Sequence, residues 1–104
     1  MELLKQFPTL KFKPDEENGY FFWSPNELTI YYSPERLESE LGQFLLLHEV
    51  GHALLHFERP SDEAYYQVER DAWDVARLLA DKLGIKRQES FVARSLRELK
   101  QLGY

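Results

Sequence analysis

Two histidines stand four residues apart in the stretch His48-Glu49-Val50-Gly51-His52. Residues i and i+4 of an α-helix differ by only about 40° around the helix axis, so both imidazoles can point at one place in space. The sequence has no cysteine, so a metal bound here must take nitrogen and oxygen ligands. Because a catalytic zinc ion has three protein ligands and one position open to water, we predict that His48 and His52 supply two ligands of a zinc site.

Glu49 directly follows the first histidine of this pair. On a helix that position turns the side chain towards the edge of the metal site, where a carboxylate reaches the reacting water without binding the ion. It is the position of the general base in the His-Glu-x-x-His motif of zinc-dependent peptidases. We therefore predict that Glu49 is the catalytic residue.

The third ligand must come from another segment, because the motif supplies only two. Four acidic residues lie in or just before the next helical segment, namely Glu63, Glu69, Asp71 and Asp74. A ligand has to lie on the face directed at the first helix, and Glu69 adjoins the apolar stripe of its segment, whereas the two aspartates fall nearer the outward side. The pattern favours Glu69, and the alternative is that Glu69 is an ordinary solvated carboxylate.

Two predicted helices carry these residues, and a third helix is predicted after them. The first is indicated by side chains that recur at steps of three and four, the period of one helix face: Leu37, Leu41, Phe44, Leu45, His48, His52, Leu55 and His56. This pattern predicts a long helix from about Glu35 to about Phe57, followed by a polar connection from Glu58 to Ala64. A second helix is predicted from near Tyr65 to Leu83, with Gly84 as its C-terminal stop, and a third from Arg87 to Leu102.

Two short segments before the first helix are rich in aromatic and β-branched residues. They are Tyr20–Trp23 and Leu28–Tyr32, and they flank the turn-forming Ser24-Pro25-Asn26, which predicts a β-hairpin. A hairpin followed by helices predicts an α+β fold, with a small antiparallel sheet before the motif-bearing helix and two further helices. We expect Leu28–Tyr32 to be an edge strand at the upper rim of the cleft, where an extended peptide can pair with it.

Length and charge narrow the possible classes of protein. The 104 residues suit a single domain spanning residues 1–104. A net charge of −5 argues against a nucleic-acid partner, which requires a clustered excess of lysine and arginine. The longest apolar run, Phe44–Leu47, is too short to cross a bilayer, and residues 1–13 lack the apolar stretch of a signal peptide. The expectation is a cytoplasmic protein with no membrane partner.

Three stretches follow one another in the middle of the chain. They are His48-Glu49-Val50-Gly51-His52-Ala53-Leu54-Leu55-His56, Val68-Glu69-Arg70-Asp71-Ala72 and Ala76-Arg77-Leu78-Leu79. Together with the hairpin they cover roughly residues 19 to 80, and their order resembles that of the ImmA/IrrE-type zinc metallopeptidases. These belong to the gluzincins, in which a glutamate on the second helix is the third zinc ligand. The chain is also similar in size to the minimal stand-alone zincins called minigluzincins.

This resemblance implies a minimal zincin-like fold, a Zn²⁺ cofactor held by His48, His52 and Glu69, and a protein or peptide substrate. It also implies that the substrate is a regulatory protein, such as a transcriptional repressor. The chain contains no helix-turn-helix segment of its own, so that partner would be a separate chain. One position departs from the family's pattern. Four residues after the ligating glutamate the family usually has Asn or Asp, which holds a zinc-bound histidine by its second ring nitrogen, and here that residue is Trp73.

The departure at Trp73 leaves two outcomes open. Either Asp71, Asp74 or a backbone carbonyl takes over the supporting role, or the site is weakened.

A third histidine, His56, is two helical turns, about 11 Å, beyond His48, too far for one ion to contact both. We interpret it as a residue of the cleft rim or as a cap at the end of the helix. Candidates for a donor that stabilises the oxyanion of the reaction are Tyr65, Tyr66, Tyr20 and His56.

Two hypotheses about function follow. The first is a zinc-dependent metallopeptidase in which Glu49 is the general base. The alternative is a zinc-binding regulatory or interaction module whose peptidase activity is latent or lost. Trp73 and the small size of the chain favour the alternative. If the basic C-terminal helix and Tyr104 cover the acidic cleft, the isolated protein would be inactive.

Overall fold

A small sheet precedes three α-helices in the computed structural model, which describes residues 2–58 and 64–104. The strands are β1 (Lys11–Pro14), β2 (Phe22–Ser24) and β3 (Thr29–Tyr32), and the helices are α1 (Glu40–Leu55), α2 (Tyr65–Leu83) and α3 (Glu89–Gln101). The predicted α+β fold is therefore confirmed. The polar connection predicted from Glu58 to Ala64 falls largely on residues 59–63, which lie outside the described part of the chain.

The sheet has the strand order β1-β3-β2. β2 and β3 form the predicted antiparallel pair, with Trp23 opposite Ile30, and β1 runs parallel to β3 on its other side. The prediction that Leu28–Tyr32 is an edge strand was wrong, because β3 is the central strand. β1 was not predicted, because it has only four residues and they include two lysines and a proline. β2 is the edge strand on the side of the motif-bearing helix.

The motif-bearing helix begins later than its apolar pattern suggested. Arg36–Glu38 form a short 3₁₀ turn, and the backbone at Ser39 is extended, so α1 starts at Glu40 rather than at about Glu35. The Ser39 hydroxyl accepts the Gly42 N–H at 2.9 Å, which caps the helix. At the other end α1 gives way to a 3₁₀ turn at His56–Glu58. The sequence signal for the true start was Ser39 itself, a residue type that favours the N-cap.

α1 and α2 pack together very closely at Gly51. A methyl group built on Gly51 would lie 2.6 Å from the carbonyl oxygen of Ala72, so only glycine fits there without a shift of one helix. Around this contact the core contains the fully buried side chains Phe44, Leu47, Val50, Ala72 and Ala76. The two helices therefore form a fixed pair, and residues on their facing sides are held at short range.

α2 has the bounds that the sequence predicted, from Tyr65 to Leu83. It ends at Gly84, which has a φ of 72° and lets the Ile85 N–H reach back to the Ala80 carbonyl at 2.8 Å. α3 then packs against α2 and buries Val92 in the same core. Within residues 2–58 and 64–104, no helix combines the length and apolar character that a bilayer span requires.

Candidate metal centre

Three predicted ligands meet between α1 and α2. Nε2 of His48 lies 2.9 Å from Oε2 of Glu69, and Nε2 of His52 lies 3.0 Å from Oε1 of the same carboxylate. The two Nε2 atoms are 3.2 Å apart. In the described part of the chain, these three residues are the group whose ligand atoms are close enough together to hold a metal ion.

The spacing of these atoms fits a small tetrahedral ion. Two nitrogen or oxygen ligands bound to zinc at about 2.0–2.1 Å are roughly 3.3 Å apart, close to the separations observed. Two imidazoles and one carboxylate also form the ligand set of catalytic zinc sites that leave one position for water. The residues present therefore fit a divalent metal ion.

Burial and charge hold His48 and Glu69 in the protonation states that metal binding requires. Burial lowers the pKa of His48, whose side chain is almost fully enclosed, and so favours the neutral imidazole. Burial alone would raise the pKa of Glu69, but hydrogen bonds from His48 and His52 hold that pKa well below its usual range. An uncharged imidazole and an ionised carboxylate are the forms in which these side chains bind a cation.

Glu49 lies beside this group and outside it. Its Oε2 is 3.9 Å from Nε2 of His48, while its Oε1 accepts the backbone N–H of Trp23 at 3.0 Å. Burial raises the pKa of Glu49 to about 7, because little water remains to solvate its charge. The carboxylate is therefore anchored to the edge strand β2 and is a stronger base than an exposed glutamate.

A cleft of about 750 Å³ lies between β2 and the helices α1 and α2. It is lined by the three candidate ligands and by Glu49. Its walls are mostly apolar or aromatic, and are made of Phe21, Phe22, Trp23, Pro25, His56, Tyr65 and Val68. His56 lies in the wall, with its ring edge-on to Trp23 at 5.6 Å, and it is not a member of the three-residue group. A cleft of this volume has the size of a site for a small molecule or a short stretch of peptide.

The other acidic candidates have different surroundings. Asp71 accepts a hydrogen bond from the Gln67 side chain at 2.8 Å, and Asp74 forms an ion pair with Arg77 at 2.8 Å. Glu63 lies outside the described residues. Among the described candidates, the structure brings only Glu69 to the two histidines.

Comparison of the chain with known protein families, with curated proteins and with solved structures found no match. The resemblance to the ImmA/IrrE-type metallopeptidases therefore stays a prediction from the motif residues. What this site can do must be argued from its geometry.

The four candidates for an oxyanion donor are also separated by the structure. Tyr65 lines the cleft, one helical turn before Glu69 and on the same face, and His56 lines it as well. Tyr66 instead packs its ring 5.2 Å from the Lys100 ammonium, and Tyr20 is 63% exposed. Tyr65 is thus the tyrosine that belongs to the site, and its hydroxyl is hydrogen-bonded to the Glu69 carboxylate.

Two features of the site were missed in the sequence. The N–H that anchors Glu49 comes from the backbone of Trp23, and any residue except proline offers one, so no side-chain signal marked it. Trp73 was identified only as a departure from the family's Asn or Asp, yet its indole stacks on the ring of His48 with centroids 3.7 Å apart. Neither Asp71 nor Asp74 supports His48 by a hydrogen bond, since within the described chain His48 Nδ1 has no partner.

Proposed function

We propose that the chain is a zinc-dependent peptidase, with His48, His52 and Glu69 as metal ligands and Glu49 as the general base. The observation that carries the proposal is the placement of a buried, backbone-anchored carboxylate 3.9 Å from one of three converging metal ligands. A metal site that served structure alone would have no use for such a carboxylate, whose burial opposes its charge. The motif resemblance supports the same chemistry.

Zinc bound by these ligands would polarise the scissile carbonyl and lower the pKa of the attacking water. Glu49 takes the proton of that water as its oxygen bonds to the carbonyl carbon. It then passes the proton to the amine nitrogen as the carbon–nitrogen bond breaks. A pKa of about 7 suits both steps, because the carboxylate accepts and returns a proton near neutral pH.

The cleft walls support a peptide as the substrate. β2 is an edge strand of the sheet, so an extended peptide can lie beside it and pair with the outward backbone groups that Glu49 does not already use. The apolar wall formed by Phe22, Trp23 and Val68 then faces the side chains next to the scissile bond. We propose Tyr65 as the donor to the oxyanion, since its side chain reaches the cleft beside Glu69.

Metal analysis tests the ligands. We expect about one zinc ion per chain, lost in His48→Ala and in Glu69→Ala. His56→Ala is the matched control, since His56 lines the same cleft outside the ligand group, and it should keep its zinc. Zinc that stays bound in Glu69→Ala would contradict the assignment of the third ligand.

Cleavage of an unfolded, dye-labelled casein tests the chemistry. Glu49→Gln should retain zinc and lose cleavage by a factor of about 100 or more, because it removes the base and leaves the ligands in place. Cleavage at the original rate by a zinc-loaded Glu49→Gln protein would rule out Glu49 as the base.

A latent zinc-binding module is the second candidate, and one contact favours it. The ring of Tyr104 packs edge-on, with centroids 5.2 Å apart, against Tyr65, which is a residue of the cleft wall. On this reading the site and its chemistry are the same, and the end of the chain restricts access to them.

A further inference from the structure

The His48 ring is held on two sides by residues of α2. Glu69 meets its Nε2 atom, and Trp73, one helical turn further along, covers its face with ring centroids 3.7 Å apart and planes inclined by 24°. The indole is itself fixed, since only 3% of Trp73 is exposed. Phe44 stacks on the indole at 5.6 Å, and Phe91 meets it edge-on at 5.9 Å.

The second nitrogen of His48 is arranged unusually for a metal ligand. A ligating histidine almost always donates its other ring N–H to a carboxylate, a carbonyl or water, and that hydrogen bond fixes the orientation of the ring. Within the described chain, Nδ1 of His48 is buried and has no hydrogen-bond partner. No protein group in the described chain therefore fixes the ring through Nδ1, and the contact that restricts the imidazole plane is the stacked Trp73 indole.

We propose that Trp73 is the positioning residue of the metal centre, and that it orients His48 by face-to-face stacking in place of a hydrogen bond. This inference rests on the proposed metal function. Rotation of the imidazole about its Cβ–Cγ bond would drive the ring into the indole, which the surrounding core prevents from moving. Stacking thus restricts the ring plane, and the Glu69 carboxylate selects the Nε2 edge.

Two substitutions at position 73 separate the effect of a flat ring from the effect of side-chain volume. Trp73→Phe keeps a ring against His48, whereas Trp73→Leu fills part of the space without a flat face. We expect Trp73→Leu to weaken zinc binding about 10- to 100-fold, the usual effect of losing a residue that orients a ligand. Trp73→Phe should stay within about threefold of the unaltered chain.

The matched control is Val92→Ala. Val92 is fully buried in the same core, but it has no ring to stack on Trp73 or His48. Zinc dissociation constants would be measured by competition with a chromophoric chelator, with the metal-free melting temperature of each variant recorded. Val92→Ala should melt at a lower temperature and bind zinc normally. Equal zinc affinity in folded Trp73→Leu and Trp73→Phe would overturn the proposal, whereas failure of the unaltered chain to bind zinc would overturn the metal function itself.

A fluorescence measurement keeps the proposal testable if Trp73→Leu does not fold. The chain has two tryptophans, so Trp23→Phe leaves Trp73 as the sole indole emitter. A cation bound at His48 lies next to the indole face, so zinc should change the Trp73 emission in proportion to occupancy. Zinc binding that leaves this emission unchanged would show that the indole does not contact the ligand ring, and would overturn the proposal.

Discussion

Glu49 is a buried acid anchored to a strand, and its surroundings affect stability as well as chemistry. Burial raises its pKa from the ordinary 4.5 to about 7. A carboxyl group whose pKa is raised on folding contributes stability fully below the unfolded pKa, and that contribution is lost as the pH rises through the folded pKa. The relevant window is therefore pH 4.5 to about 7.

Glu49→Gln should therefore stabilise the metal-free protein, and increasingly so at higher pH. Gln keeps an oxygen that can accept the Trp23 N–H and carries no charge to bury. We expect its gain in free energy of unfolding to grow by roughly 2 kcal/mol between pH 5.5 and 8.5. Urea unfolding in the presence of a chelator measures it. The exposed Glu98→Gln serves as the control, and a gain for Glu49→Gln that did not vary with pH would contradict the pKa shift.

At the scale of elements, the centre depends on how closely α1 approaches α2. Gly51 lies inside the motif, one residue before His52, and faces the backbone of Ala72. Gly51 occupies one of the two variable positions of the His-Glu-x-x-His motif, yet its lack of a side chain matters for packing. It sets the distance between the helix that carries two ligands and the helix that carries the third.

Gly51→Ala should separate the helices, because the new methyl group would lie 2.6 Å from the Ala72 carbonyl oxygen. We expect a loss of about 1–3 kcal/mol in stability from this overpacking. Zinc binding should weaken about tenfold, because Glu69 moves away from the histidines. Gly84→Ala is the control. It is strained by its φ of 72° but meets no atom within 4 Å, so it should cost about 1 kcal/mol and leave zinc binding unchanged.

The elements also show what could be predicted from the sequence. The bounds of α2 were predictable because its apolar stripe and Gly84 agree on where it lies. The start of α1 was not, since the helical period of side chains continues through a 3₁₀ turn and only Ser39 marks the break. β1 was not predicted either, because its pairing with β3 depends on contacts between distant parts of the chain rather than on its own four residues.

The same contrast holds for the site. The spacing of His48 and His52 is set by helix geometry, so their convergence was predictable from residue numbers alone. The choice among the acidic candidates depended on which side of α2 faces α1, which the apolar stripe already indicated. The supporting roles of Trp23 and Trp73 could not be predicted from the sequence. A backbone N–H has no sequence signature, and a buried tryptophan has the same sequence pattern as any core residue, whether or not it stacks on a ligand.

At the scale of the whole molecule, α3 connects the end of the chain to the cleft. Arg77 of α2 binds the Glu89 carboxylate at the start of α3 at 2.9 Å, and Lys100 near its end packs over Tyr66. These contacts place Tyr104 against Tyr65 at the rim. Lys100, one of the basic residues of α3, thus helps to hold α3 on α2.

On the latent reading, Tyr104→Ala should raise the rate of casein cleavage severalfold with unchanged zinc content, because it removes a ring from the cleft rim. Leu102→Ala is the control, since Leu102 is 73% exposed near the same end of the chain. If both variants cleave at the rate of the unaltered chain, the contact with Tyr65 does not restrict access and the latent reading loses its support.

The positions of the three ligands have a consequence for folding. His48 and Glu69 are 21 residues apart in a chain of 104, so their ligand group closes a short loop of sequence. The entropy lost on closing a loop grows with its length, so this closure costs less than one between distant parts of the chain. A cation that binds this group in the folded chain and not in the unfolded one stabilises the fold by mass action. We therefore expect the α1–α2 pair to form early in folding and to bind an ion before the sheet and α3 have packed against it.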